Sequence, residues 1–221
     1  LIKAFIEVYG AAVEENAKNF APTTLLRRNN QNTKYRQLLF ANIEQLAQIN
    51  QTLLNALEKV SIDNCSISKP FISITPFMKH YVEYINAYDL AHKTYKNLMK
   101  SSEKFVQLMT NCAADPRVER NKFGSLLILP VQRIPRYRLL LTQILEHTDP
   151  DHIEYEDLKK ALDRIIEVAG HINEQKRESS HLSAAAKVSR ILQQVYDIDS
   201  FISPTRKLTQ NPMTICLFNP D

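Results

Sequence analysis

The sequence predicts an all-α protein, an elongated multi-helix bundle of about five or six helices with a short β fragment at its C-terminus. Three observations carry this expectation. Apolar residues recur every three or four positions almost without interruption to about residue 200. Only three glycines occur, Gly10, Gly124 and Gly170, which argues against turn-dense β architecture, glycine-rich phosphate loops and dinucleotide fingerprints. The one β-branched run that reads as strand, "MTICLF", falls in the last twenty or so residues, where prolines replace the helical pattern.

Residues 1–20 place Leu1, Ile2, Phe5, Ile6, Val8 and Tyr9 at helical intervals, with Gly10 and Pro22 bracketing the fading end. "APTTLLRRNNQNT" reads as a loop. A long helix follows over about 33–60, with Leu38, Leu39, Ile43, Leu46, Ile49, Leu53, Leu54 and Leu57 in phase. "SIDNCSISKP" breaks the pattern, and a third helical region runs over about 75–113 with Phe77, Tyr81, Tyr84 and Tyr88 at core spacing. "DPRVERNKFGS" is a connector. A fourth helix ends near His147, where "TDPD" stops it. The last helix spans about 154 to the high 190s, with Leu158, Leu162, Ile165, Ala169 and Ile172 along one face. The predicted division is a helical domain over 1–200 and, over 201–221, a linker entering a second domain.

With 44% hydrophobic and 24% charged residues, the chain has the composition of an ordinary globular protein. A net charge of +4 suits acidic partners or anionic lipid and does not call for nucleic acid. Cys65, Cys112 and Cys216 lie far apart, as reduced cytoplasmic thiols do, rather than in a disulfide or zinc pattern. His147, Asp149, Asp151, His152 and Glu154 cluster in sequence, but the two histidines do not share a helical face, so no metal is expected. No nucleophile sits in an elbow and no carboxylate pair suits acid–base work, so neither covalent catalysis nor a cofactor is expected.

The most unusual stretch is "LLILPVQRIPRYRLLL", residues 126–141, with two prolines and three long polar side chains in a densely apolar helix. Pro130 sits near the helix start, where its missing N–H costs little; Pro135 removes a hydrogen bond to the Val131 carbonyl. Leu126, Pro130, Arg133, Tyr137, Leu140 and Ile144 share one row, so Arg133 is expected buried or half-buried against a carboxylate of another helix, ahead of the alternative that it contacts a partner directly. Leu129, Gln132, Arg136, Leu139 and Gln143 form a second row that reads equally as a partner surface or as a solvated face. Gly170 in mid-helix points to a close approach there, with Asn173 and Arg177 following on the same face.

"LLILPVQRIPRYRLLLTQILEHT" resembles the third conserved region of Dbl-homology (DH) domains, the exchange-factor domains for Rho-family GTPases. "LLFANIEQL", "PFMKHYVEYINAYDLA" and "HINEQKR" are similar to further helices of that family, and "ISPTRKL" with "MTICLF" looks like the entry to a pleckstrin-homology (PH) domain. The resemblance implies a guanine nucleotide exchange factor that acts without covalent chemistry by stabilising a nucleotide-free Rho-family GTPase. It implies that Arg136, Gln132 and Asn173 meet the switch regions. It places Ile128 where the family reads a variable GTPase residue, slightly favouring a Rac-type partner, although Arg117, Arg120 and Lys122 favour a Rho-type one. Leu129 stands where the family often has lysine, and a threonine–glutamate pair that meets switch I belongs upstream of residue 1. The same likeness implies a cytoplasmic protein with phosphoinositide contact through the PH domain. The rival expectation is a helical scaffold or membrane-surface module without exchange activity.

Overall fold

The computed structural model describes residues 1–20, 31–63 and 66–196, all helices, turns and short connectors. The expected β fragment, the boundary near 200, Cys65 and Cys216 lie outside the described residues. The chain divides into two compact units, Leu1–Ile172 and Asn173–Asp221.

The first unit opens with α1 (Ile2–Phe5), a π-helical turn (Ile6–Gly10) and α2 (Ala11–Phe20). Phe5, Tyr9, Val13, Ala17 and Phe20 are buried along it, so the apolar spacing continues through Gly10 rather than ending there. The helix expected over 33–60 is two: α3 (Gln31–Phe40) and α4 (Ile43–Asp63). Ala41 takes a left-handed conformation at φ 47°, and Asn42 donates to the His80 carbonyl at 3.0 Å, so a tertiary contact fixes the corner. "SIDNCSISKP" proves partly helical, because α5 (Ser68–Ile74) begins inside it with Pro70 in its first turn. A 3₁₀ turn (Thr75–His80) leads into α6 (Tyr81–Ser101).

Extended Ser102 separates α6 from α7 (Glu103–Ala114) and caps it, its hydroxyl accepting the Phe105 N–H at 3.3 Å. A 3₁₀ turn (Pro116–Val118) and left-handed Glu119 and Arg120 form the connector to α8 (Phe123–Leu127). Then come α9 (Leu129–Glu146) and α10 (Tyr155–Tyr196), the latter continuing into the second unit.

Aromatic rings lock the first unit. Phe5, Tyr9, Phe40 and Tyr95 surround Phe123 with centroids 4.8–5.6 Å away, and Phe20 meets Phe105 at 5.0 Å. Two buried tyrosines satisfy their hydroxyls on backbone carbonyls: Tyr9 donates to the Asn121 carbonyl and Tyr84 to the Leu127 carbonyl, both at 2.8 Å. The Tyr84 bond ties α6 to the end of α8, one residue before Ile128 and the start of α9. It thereby fixes where the most unusual helix begins.

Candidate functional site

The α9 helix is anchored by a narrow stripe, Pro130, Ile134, Tyr137 and Leu141, which are buried at intervals of three and four. Tyr137 packs edge-on against Phe71 of α5 at 5.4 Å and donates its hydroxyl proton to Asn50 Oδ1 of α4 at 2.8 Å. Asn50 in turn donates to the Tyr81 hydroxyl of α6 at 2.7 Å and to its own helix at the Leu46 carbonyl at 2.6 Å. Two helices, α4 and α6, are therefore registered on α9 through one polar network inside an apolar core, and α5 through a ring contact.

Most of the remaining circumference is open. Gln132, Arg133, Pro135, Arg136, Arg138, Leu139, Leu140 and Gln143 are exposed, with Leu139 at 64% and Leu140 at 53%. Arg136 Nη2 donates to Gln132 Oε1 at 3.1 Å, one helical turn back, which orders the two side chains of this strip against each other. Ile128 joins α8 to α9 in a helical conformation and is half-buried, as is Leu129, which packs on the core. Gln132, Arg136, Leu139 and Gln143 thus share one exposed strip, with Ile128 and Leu129 at its head. Leu140 is a residue the sequence reading put in the inward row; it belongs with Leu139 on the surface.

Arg133 corrects the expectation of a buried ion pair. It is exposed, and no carboxylate pairs with it among the described residues. Its Nε donates to the Tyr137 hydroxyl at 2.9 Å, and its guanidinium lies 4.9 Å from the same ring's centroid. The reason is phase. The buried stripe passes through Ile134, so Arg133 stands about 100° away from it, and the residue four positions on is an aromatic with a free lone pair.

Gly170 also departs from expectation. It lies exposed on α10, and a methyl group there would meet no atom within 4 Å, so packing within this unit does not require the glycine. Asn173 and Arg177 belong to the second unit, both exposed; Arg177 is paired with Glu174 at 2.7 Å. In the α7–α8 connector, Arg117 is engaged locally by Asp115 at 2.7 Å and by Glu7 at 3.9 Å. That guanidinium holds the Asp115 carboxyl down at about 2.

A helical unit of this build, with a polar–apolar strip along a proline-bearing helix, meets its counterpart in known proteins. The model of the RhoGEF domain matches residues 2–173, which is most of the chain. The chain belongs to the RhoGEF domain family. It is 37% identical over 142 residues to the Rac guanine nucleotide exchange factor JJ of Dictyostelium discoideum, covering 63% of this chain and 12% of that relative. It is 29% identical over 154 residues to Protein vav of Drosophila melanogaster, covering 69% of this chain and 19% of the relative. The chain therefore spans only a small part of the curated relatives it matches. Among solved structures, an activated truncation of Vav1 superposes with a TM-score of 0.70 at 21% identity, covering 84% of this chain and 46% of that one. A DH/PH fragment of PDZRHOGEF in complex with human RhoA gives 0.67 at 19% identity, covering 83% and 52%. These likenesses establish that this RhoGEF domain has the DH helical bundle fold.

Proposed function

We propose that this RhoGEF domain accelerates GDP release from a Rho-family GTPase by binding its nucleotide-free form more tightly than its loaded form. The observation that carries this reading is the exposed Gln132–Arg136–Leu139–Gln143 strip of α9, which the fold itself does not need. Long polar stems beside uncovered leucines form a surface suited to a partner. Arg136 supplies the charge, Gln132 holds it in register, and Leu139 supplies apolar area, with Ile128 and Leu129 at the head of the strip. Gly170 of α10 is proposed as a further GTPase contact of the first unit, and Asn173 and Arg177 of the second unit are proposed, on the family resemblance alone, to meet the GTPase as well. The open space around Gly170 supports this, since a helix that gives up about 1 kcal/mol for glycine needs a reason outside its own packing.

The bound GTPase would have its switch segments held in a conformation that disturbs the magnesium site and phosphate cradle, which retain nucleotide mainly by electrostatics. No bond in the nucleotide is made or broken, and no cofactor takes part. A Rac-type partner is the first choice. Ile128 supports it, and so do the engagement of Arg117 by Asp115 and Glu7 and the likeness to the Rac guanine nucleotide exchange factor of Dictyostelium discoideum. Action in the cytoplasm, with recruitment to phosphoinositide membranes through a following PH domain, completes the reading.

The test is fluorescent-GDP release from a panel of Rho-family GTPases, using this chain and one beginning further upstream. Acceleration of at least one GTPase is expected. Arg136→Ala or Asn173→Ala should slow it about ten-fold or more with helicity unchanged, the loss expected for a charge-assisted interface contact. Equal binding of the loaded and nucleotide-free GTPase would favour a scaffold instead.

A further inference from the structure

We infer that Arg133 is a second cation of the α9 contact surface, receiving a carboxylate of the bound GTPase while Tyr137 and Asn50 hold it in place from the core. The inference rests on the exchange-factor reading and extends its contact surface to a side chain that the helical pattern assigned to the interior.

The hydrogen-bond directions make the case. A tyrosine hydroxyl has one proton to give, and Tyr137 gives it to Asn50 Oδ1. The same oxygen is then left only as an acceptor, and Arg133 Nε fills it. Asn50 cannot swing away, because its amide is committed to the Tyr81 hydroxyl and the Leu46 carbonyl. Tyr137 itself is 5% exposed and set against Phe71. The guanidinium is therefore fixed at Nε and supported by the ring beneath it. Its two Nη groups hold no acceptor among the described residues.

An arginine anchored at one nitrogen and open at the other two is prepared for a planar bidentate acceptor, and a carboxylate has that shape. Anchoring also lowers the ordering cost of binding, since a long side chain free in solvent would lose its rotamer freedom at the moment of contact. Arg133 precedes Arg136 by three, which makes the two neighbours on the helix surface, and both are exposed, so they can face one partner. Tyr137 and Asn50 are positioning residues in this scheme, acting through Arg133.

The test measures affinity for the GTPase that responds best in the exchange panel, stripped of nucleotide with EDTA. Arg133→Ala, Tyr137→Phe, the double variant and Arg136→Ala are compared at two salt concentrations, with a melting temperature for each. Arg133→Ala should weaken binding about ten-fold, flatten the salt dependence and leave the melting temperature unchanged. Tyr137→Phe keeps the ring on Phe71 and should weaken binding about three-fold by releasing the guanidinium, a fraction of that same contact. The double variant should bind no more weakly than Arg133→Ala alone, because both changes act on one contact. Unchanged affinity in Arg133→Ala while Arg136→Ala binds weakly would overturn the inference and leave the exchange reading standing. Unchanged affinity in both, or no responding GTPase at all, would overturn the exchange reading and this inference with it. A fully additive double variant would also overturn it, since Tyr137 would then act on binding by another route.

Discussion

Helices α6 and α9 have similar lengths, 21 and 18 residues, and both set tyrosines into the same core, yet their outer faces differ in kind. Outside, α6 shows Glu83, Asp89, Lys93, Lys96, Asn97 and Lys100, with Leu90 as its one large exposed apolar residue. Outside, α9 shows adjacent Leu139 and Leu140 among Gln132, Arg133, Arg136 and Gln143. A single exposed leucine on a charged face is ordinary protein surface. Two together, flanked by glutamine and arginine, are what a contact patch requires. Helix α6 has its large apolar side chains almost entirely on the inside, whereas α9 holds the fold with one narrow stripe and leaves Leu139 and Leu140 uncovered.

The largest expected effect separates those roles by stability. Tyr84→Ala in α6 should cost about 3–5 kcal/mol, because it empties a fully packed site and leaves the Leu127 carbonyl without its donor. Leu139→Ala in α9 should change stability by no more than about 0.5 kcal/mol, since little area is lost there. Urea unfolding of both variants measures the contrast. A Leu139→Ala cost near that of Tyr84→Ala would mean that α9's outer face supports the fold after all.

Alkaline titration gives a smaller effect that sharpens the same contrast. Burial pushes the Tyr81 and Tyr84 hydroxyls of α6 far up. Tyr9 is pushed up to about 12, by burial first and then by Cys112 and Tyr95. Burial also raises Tyr137 of α9, but the Arg133 guanidinium draws it back. A raised folded value means that the unfolded chain loses protons first. The stability is therefore complete below about pH 10 and falls as pH rises toward 12. Tyrosinate absorbance followed with circular dichroism should show these rings ionising together with loss of helix. Ionisation of the α6 tyrosines near their ordinary value in the folded protein would show that they are not sealed.

Much of this was legible in the sequence, and the parts that were not share a cause. Apolar spacing identified the main helical stretches because each must bury a stripe. It ran straight through Ala41–Asn42 and Ser102, where the chain turns without any loss of apolar rhythm. Those corners are set by the Asn42 bond to His80 and by the Ser102 cap, and spacing carries no record of either. The helix α5 was hidden by Pro70, which is tolerated in a first turn. On α9, two rows pass through Tyr137 at helical spacing, one through Arg133 and Leu140, the other through Ile134 and Leu141. Only neighbours from α4, α5 and α6 select the second, so Arg133 and Leu140 were assigned inward from pattern alone. The Gln132–Arg136 pair was identifiable as a row but not as a surface.

The smallest expected effect is an absence that α6 must show if the comparison holds. Lys93→Ala with Lys96→Ala removes two exposed charges from a solvated helix face. Surface charges in such a setting change stability by no more than about 0.5 kcal/mol. They also lie on a helix whose opposite side, through Tyr84 and Ala91, carries its packing. Exchange on the responsive GTPase should therefore stay within about two-fold of the unchanged chain, the span of such a surface effect, while Arg136→Ala slows it about ten-fold. Stopped-flow release of fluorescent GDP, run in parallel on both variants, distinguishes them. Equal slowing by the two would mean that the basic charge of the whole domain steers association, since long-range attraction does not distinguish one face from another, and a high-salt repeat would then abolish both effects together. Slowing by Arg136→Ala alone, surviving in high salt, assigns the effect to direct contact on α9.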